Sequence, residues 1–290
     1  MAINVLPGDP AEVLLGLNAD PAALAALRSE MGLDRPLPLR FLSWLGGLFA
    51  GDFGRSATYD VPVAALIAER LAVSVPLAAM ALFVSVAIAL PLGLAAATWR
   101  GRTFDRVTLA GAQVALSIPN VWLGLLLIAL FAVALRLVPA GGFPGWDAGA
   151  ASALGALLMP AISLAVPQAA ILTRVVRAAV AEAADEDYVT LARAKGRSRA
   201  GAVRVHALSN AWGPILTIIG LQFGFLVAGA IVIETVFSLP GLGRLLFQAV
   251  SQRDLPVVQG VVLIVVVAVI VANSLCDMLA SWADPKSIRS

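Results

Sequence analysis

Charged residues, cysteine and histidine are all scarce in this chain of 290 residues. Only 13% of the residues are charged and 60% are hydrophobic, which excludes a disordered chain and is too apolar for most soluble domains. The single cysteine, Cys276, rules out an intrachain disulfide. The single histidine, His206, makes a poor metal site or catalytic base without partner side chains.

Motifs that carry enzyme chemistry are also missing. The chain has no GxxxxGK[ST] phosphate-binding loop, no HExxH zinc motif and no serine nucleophile elbow. We therefore predict no catalytic residue, no cofactor and no metal ion in this chain. If ATP is involved in its function, another chain binds and hydrolyses it.

Long apolar runs are what the chain has in abundance. Several runs of 18 or more nearly uncharged residues predict transmembrane helices. We expect an all-α polytopic membrane protein with five spans, some of which contain prolines that neighbouring helices can accommodate. The spans are predicted near residues 72–98, 107–135, 154–175, 211–234 and 258–280.

Basic residues concentrate in alternate loops. The 99–106 loop holds three arginines, the 176–210 loop holds six basic residues, and the C-terminal tail holds Lys286 and Arg289. The positive-inside rule places these three segments, and hence the C-terminus, in the cytoplasm. It follows that residues 1–70 form an extracytoplasmic N-terminal segment and that residues 71–290 form the transmembrane domain.

Two local patterns stand out within residues 1–70. Prolines and a glycine in LPGDPAE, residues 6–12, predict a turn. Asp20 followed by Pro21 predicts the capped start of a helix that reaches Gly32.

The most polar stretch of the C-terminal half is the loop around residues 185–213, which lies between two apolar runs. Its residues follow the pattern DYV-x-x-ARAKG-x9-HAL-x-NA. This pattern resembles the cytoplasmic EAA loop of ABC-importer permeases, in the form found in dipeptide, oligopeptide and nickel permeases. Thr190 stands where the general family pattern has glutamate, and Ser209 stands where it has proline.

The resemblance implies a short cytoplasmic coupling helix, between the third and fourth spans, that docks on an ATPase subunit. Helical spacing places Tyr188, Ala192 and Lys195 on one face. We expect that face to enter a groove of the ATPase while Arg193 and Arg197 meet its acidic rim. Gly196 is expected to end the helix as a C-terminal cap.

A second segment, ETVFSLPGLGRLLFQAVSQRDLPVVQG from Glu234 to Gly260, resembles the outward loop between the last two spans of the same permeases. Pro240, Gly241 and Gly243 break the helix, and the apolar residues that follow predict a short helix. Non-helical backbone at membrane depth must be buried in protein or line a cavity, so we expect an outer gate loop. Its predicted polar contacts are Glu234 and Asp254; a solvent-facing hairpin is the alternative.

Small and polar residues also occur inside the spans. Gly220, Gly224 and Ala228 form a stripe that lets another helix approach closely, although chance in a glycine-rich chain would give the same pattern. Polar side chains within spans are candidates for lining a transport path, with ordinary packing as the alternative. They are Gln113, Ser117, Asn120 and Gln222.

The resemblance extends over nearly the whole chain and implies a permease subunit of an ABC importer in the bacterial inner membrane. Its implied partners are a second homologous permease, two ATPase subunits and an extracytoplasmic solute-binding protein, with no nucleic acid. The implied cargo is peptides, or a related solute such as a nickel chelate or glutathione. In that family a first helix precedes a similar LPGDP turn, which implies a sixth span upstream of Met1.

Two other function classes stay open. An ion-coupled secondary transporter would need ionisable residues within its spans and internal repeats, and Glu234 and Asp277 lie only near span ends. An intramembrane enzyme would need a nucleophile and base or a metal cluster, which the sequence does not show.

Overall fold

The fold is helical throughout the part of the chain that the computed structural model describes, residues 20–30, 34 and 36–283. No strand occurs in these residues; Arg55 and Pro62 form one isolated antiparallel bridge. The α-helices are α1 (Pro21–Glu30), α2 (Leu37–Phe49), α3 (Val63–Thr98), α4 (Thr103–Ser117), α5 (Asn120–Leu127), α6 (Ala150–Ala184), α7 (Asp187–Ala194), α8 (Arg199–Ala202), α9 (Leu208–Val236), α10 (Leu242–Ser251) and α11 (Leu255–Ala283). Ile128–Ala134 and Val203–Ala207 are π-helical, and Trp146–Ala148 is a 3-10 turn.

Helix α1 begins where the sequence predicts. The Asp20 side chain accepts a hydrogen bond from the Ala22 amide at 3.3 Å, and the Asp20 carbonyl accepts one from the Leu24 amide. The predicted capped start is therefore confirmed. The predicted turn at residues 6–12 and the end of that helix at Gly32 lie outside the described residues.

Within the described part of the chain, four helices are long and apolar enough to cross a membrane, and a bent pair raises the number to five. The four are Val63–Thr98, Ala150–Ala184, Arg199–Val236 and Leu255–Trp282. The second predicted span, 107–135, is not one helix, because α4 and the following segment meet at 92°. Pro119 explains the break, since a proline disfavours the α conformation at the residue before it, and Ile118 is extended at φ −91° and ψ 117°.

The described chain forms two compact units. The first contains the described residues up to Leu71 together with Leu245–Ile264, and the second contains Ala72–Arg244 and the described residues from Val265 onward. In the first unit, Gly260 of α11 packs against Val63 and Ile67 of α3. A Cβ at Gly260 would lie 2.9 Å from the Val63 Cγ1 atom, so glycine permits this close approach.

In the second unit, helices α3, α6 and α9 run through two apolar clusters. One cluster contains Leu77, Leu157 and Ile233, and the other contains Leu172, Val176 and Ile215. These side chains are at most 3% exposed. Because the two clusters lie near opposite ends of the three long helices, they join these helices into one packed unit, which we call the scaffold.

Prolines in these helices free carbonyl groups that need other donors. Pro76 in α3 has no amide hydrogen, so the carbonyl of Ala72 loses its helical partner. The indole Nε1 of Trp146 donates to that carbonyl at 2.9 Å. The 3-10 turn before α6 is thus tied to α3 at a carbonyl that the proline leaves without a helical donor.

Candidate functional site

The predicted helix in the 176–210 loop is present as α7. The helix carries Asp187 in its first turn and Arg193 in its last turn, which complements the helix dipole at both ends. Its last residue, Ala194, is followed by Lys195 and then by Gly196, which has φ +90°. The amides of Gly196 and Arg197 donate to the carbonyls of Arg193 and Ala192, at 3.0 and 3.2 Å. This is the Schellman arrangement, so the predicted C-terminal cap at Gly196 is confirmed.

One face of α7 packs against the protein's own core. Val189 is 1% exposed, and Tyr188 and Ala192 lie against the same apolar cluster as Leu172 and Val176. Burial, with a smaller contribution from the charge of Glu186, raises the pKa of Tyr188 above its usual 10, so its phenol is neutral at physiological pH. The face that the sequence predicted for a partner's groove therefore points inward at Tyr188 and Ala192.

The opposite face of α7 is open. Leu191 is 55% exposed, and Arg193, Lys195 and Arg197 are also exposed. A partner at this end of the scaffold would meet an exposed apolar side chain and exposed cationic groups within one short segment, residues 191–197.

The chain returns from α7 to the scaffold through a second capped turn. The Ser198 hydroxyl accepts the Gly201 amide at 3.2 Å and so caps α8. Ala202, Val203 and Ala207 are at most 2% exposed and belong to the same apolar cluster as Val189. The segment 187–207 is thus an extension of the packed core rather than a loose connection.

Two ion pairs tie the first turn of α4 and the turn before it to the part of α6 that precedes α7. Arg177 donates from Nε and Nη2 to the two oxygens of Asp105, at 3.0 and 2.8 Å. Asp105 is 3% exposed and also accepts the Gly101 amide at 2.8 Å. Arg100 and Asp185 form a second, exposed pair at 2.7 Å. Sequence reasoning missed Asp105 and Arg177, because residues 72 positions apart carry no local sign of pairing.

At the other end of α9, Glu234 is fully buried and bound by three donors. Its carboxylate accepts the Ser74 hydroxyl at 2.5 Å, the Gly243 amide at 2.7 Å and the Arg244 amide at 3.2 Å. The Ser74 hydroxyl in turn accepts the Leu242 amide at 2.8 Å. Since a helix leaves its first amides without internal partners, Glu234 and Ser74 together cap α10 from two other helices.

The two glycines of the LPGLG sequence make this cap possible. A Cβ at Gly241 would lie 2.2 Å from the carboxyl carbon of Glu234, and one at Gly243 would lie 2.2 Å from the Cα of Ile231. Both distances are far inside van der Waals contact. The structure therefore brings Glu234, Gly241 and Gly243 of the predicted outer gate loop together. Pro240, at the break before α10, is half-buried.

Asp254, the remaining predicted gate residue, makes its contacts within the first unit. It is 1% exposed and accepts hydrogen bonds from the Ser56 hydroxyl and from the Thr58 amide, the latter at 3.1 Å. It also accepts the Val257 amide at 3.4 Å, at the start of α11. Asp254 thus joins the turn at residues 56–58 to the beginning of the last helix.

The predicted small-residue stripe is used in part. A Cβ at Gly220 would lie 2.8 Å from the Cβ of Cys276 in α11, and one at Gly224 would lie 3.5 Å from Val269. Ala228 is exposed. Gln222 is 2% exposed and its amide donates to the carbonyl of Gln168 at 2.9 Å, so it packs against α6 instead of facing an open path. Over residues 20–30, 34 and 36–283, no cluster of three metal-ligating side chains occurs.

Comparison with known proteins gives matches along almost the whole chain. Residues 89–289 match the family model described as "Binding-protein-dependent transport system inner membrane component", and residues 1–78 match the model of its N-terminal region. A protein of Brucella abortus (strain 2308) that is named as a peptide transport system permease is 39% identical over 286 residues, 99% of this chain and 91% of that protein. The glutathione transport system permease protein GsiC of Salmonella typhi is 38% identical over 283 residues, 98% and 90% of the two chains.

Solved structures show the same fold at low sequence identity. A chain of the inward-facing MetNI methionine ABC transporter superposes with a TM-score of 0.60 and 18% identity, covering 75% of this chain and 96% of that chain. A chain of an amino acid ABC transporter crystallised with histidines gives a TM-score of 0.57 and 19% identity, with coverages of 74% and 92%.

Proposed function

The chain belongs to the family of binding-protein-dependent transport system inner membrane components, and we propose that it is the permease subunit of an ATP-driven peptide importer. It is an integral membrane protein and a transport component rather than a catalytic subunit. The relatives named as peptide and glutathione permeases support peptides as the cargo, or glutathione. A nickel chelate is a further candidate that only the sequence resemblance implies. ATP hydrolysis then takes place on two separate ATPase subunits.

The observation that carries this proposal is the packing of α7 onto the scaffold. Val189, Ala202 and Ala207 share one apolar cluster with Leu172 of α6 and Ile215 of α9. A displacement of α7 therefore moves the ends of two spanning helices, because close-packed interiors transmit strain instead of absorbing it. In the proposed mechanism, ATP-driven closure of the ATPase pair pushes α7 and reorients the spans by alternating access.

The exposed face of α7 is the proposed ATPase contact. Leu191 would bind an apolar groove, and Lys195, Arg193 and Arg197 would meet acidic groups at its rim. The basic loops support a cytoplasmic location for this end of the scaffold and for the C-terminus. The residues up to 70 then lie outside with the binding protein.

At the extracytoplasmic end, the Glu234 cap on α10 is the proposed gate element. A buried carboxylate with three donors holds the LPGLG turn in one position. A second homologous permease completes the path, since one chain supplies half of it, and a solute-binding protein delivers cargo to the outer loops. The Gly220 and Gly224 stripe contributes packing between α9 and α11 within this chain.

Co-purification tests the proposal. The tagged chain, extracted from its native host in mild detergent, should bring with it ATPase subunits and a second permease. Leu191→Asp should lose the ATPases and keep the permease. Asp147→Asn, at the exposed turn before α6 and so at its opposite end, is the matched control and should lose neither. A chain that purifies without ATPases and transports independently of ATP would contradict the proposal and favour an ion-coupled carrier.

A further inference from the structure

Arg174 is a charged side chain of a spanning helix, and it has no acidic partner among the residues that the structure describes. It is exposed on α6, and its Nη1 atom makes a long hydrogen bond of 3.4 Å to the Oε1 atom of Gln113 in α4. Among the described residues, no carboxylate lies within 4.0 Å of its guanidinium. Arg177, three residues further along α6, is fully engaged by Asp105.

The guanidinium of Arg174 points toward the interior of the span. The Asp105–Arg177 pair joins α6 to the first turn of α4, which begins at Thr103. Measured along the helices from that pair, Arg174 is three residues away and Gln113 is eight, or about 4.5 and about 12 Å at the rise of an α-helix. Since Arg174 contacts Gln113, its side chain extends away from that pair, toward the middle of α6 and not toward its Ala184 end. An arginine that faces lipid extends toward the nearer headgroups instead.

The surface around this contact is polar. Gln113 and Ser117 are one helical turn apart on α4 and both are exposed. The Ser117 hydroxyl donates to the carbonyl of Gln113 at 3.0 Å. An exposed guanidinium within a span is costly against hydrocarbon, and such residues usually face a water-filled cavity or mark a solute pathway. An aqueous surface is therefore the environment that best suits the exposed Arg174 and Gln113 side chains.

We infer that Arg174 and Gln113 form a carboxylate-binding site on the transport path. This site holds the C-terminal carboxylate of the peptide during its passage. The inference rests on the proposed function and names the part of the cargo that this chain recognises. A guanidinium offers paired N–H donors that match the two oxygens of a carboxylate. The hydrogen bond from Arg174 to Gln113 is long, at 3.4 Å, so the guanidinium is free to bind and release an anion. Phospholipid phosphate has related chemistry, and the experiment separates the two sources.

The test is ATP-driven uptake by the whole transporter, with its binding protein, in proteoliposomes. The probes are one peptide as its free acid and as its C-terminal amide, chosen so that the wild type imports both. Each variant is scored as its uptake relative to wild type for the same probe, which cancels differences in delivery by the binding protein. Arg174→Gln removes the charge, and Arg102→Gln removes an exposed arginine beside the start of α4 as the matched control. Co-purified ATPase content confirms assembly.

We expect Arg174→Gln to lower uptake of the acid by roughly fivefold, the scale of one solvent-exposed charge contact, and to leave the amide unchanged. Arg174→Lys should retain part of the acid uptake, and Arg102→Gln should retain all of it. Equal loss of acid and amide, or no loss of either, would overturn the inference while the importer itself stands. A lipid role would also overturn it. In that case wild-type uptake in phosphatidylcholine vesicles would depend on added phosphatidylglycerol, and Arg174→Gln would abolish this dependence for both probes. Absence of ATP-driven peptide uptake by the wild type would overturn the proposed function itself.

Discussion

Removing the Glu234 carboxylate should loosen helix α10 while the rest of the fold stays in place. Glu234→Ala leaves three donors without their acceptor: the Ser74 hydroxyl and the amides of Gly243 and Arg244. A buried donor that loses its partner costs about 1–3 kcal/mol. The void left by the side chain admits water, so the lower end applies. Three donors at about 1 kcal/mol each give about 3 kcal/mol.

That loss should appear as faster amide exchange in α10, residues 242–251. With a factor of ten for each 1.4 kcal/mol, about 3 kcal/mol corresponds to a roughly hundredfold faster exchange. Hydrogen-exchange mass spectrometry of the chain in lipid nanodiscs measures it peptide by peptide. Glu234→Gln keeps one carbonyl oxygen as acceptor and should give an intermediate effect.

Thr235→Ala is the matched control for this prediction. Thr235 is exposed, and its hydroxyl donates only to the Ile231 carbonyl one turn earlier in its own helix. Exchange in α10 should therefore remain at the wild-type rate. If Glu234→Ala and Thr235→Ala change exchange equally, or if neither changes it, the capping role derived for Glu234 is refuted.

Three further changes test the packing of the scaffold. Gly196→Ala places a side chain at φ +90° and should destabilise α7 by about 1 kcal/mol, which corresponds to about fivefold faster amide exchange at residues 187–195. Gly213→Ala is the control, because the space around Gly213 is open, and it should leave exchange in α7 unchanged. Equal effects of the two changes would contradict the capping role of Gly196. Asp105→Arg or Arg177→Asp alone leaves like charges facing each other and should abolish stable accumulation in the membrane, as immunoblots of membrane fractions would measure. The double exchange should recover part of it, and no recovery would count against the pair. Gly220→Leu should lower the melting temperature in detergent, since its Cβ would lie 2.8 Å from the Cβ of Cys276; an unchanged melting temperature would show that α11 is free to move.

Local features of the fold could be predicted from the sequence, since their causes lie within a few residues. Asp20 caps α1 through its own neighbours, Gly196 ends α7 at the position that requires a positive φ, and the apolar residues after Gly243 form α10. The spans follow from hydropathy in the same way. In each case the deciding interactions connect residues at most five positions apart.

Features that depend on distant pairing could not be predicted. Glu234 binds Ser74, 160 positions away, and Asp105 binds Arg177. The residues next to Glu234 and to Asp105 in the sequence carry no sign of the distant partner. The inward orientation of Tyr188 was missed for the same reason: an amphipathic helix buries its apolar face against whatever apolar surface the fold supplies. Here that surface is the scaffold itself.

The most direct test of the account is site-specific cross-linking from α7 in membranes. In a Cys276→Ala background, a cysteine at Leu191 should cross-link to an ATPase subunit through a short bifunctional reagent, because that side chain is exposed on α7. A cysteine at Asp147, at the opposite end of α6, should react with the reagent and not reach the ATPase. The predicted result is a cross-link from position 191 to the ATPase whose yield changes when ATP is added. The contact that it reports should be one that uptake requires. Reaction at Leu191 with no ATPase adduct, in membranes that import cargo, would contradict the claim that α7 couples this chain to ATP hydrolysis.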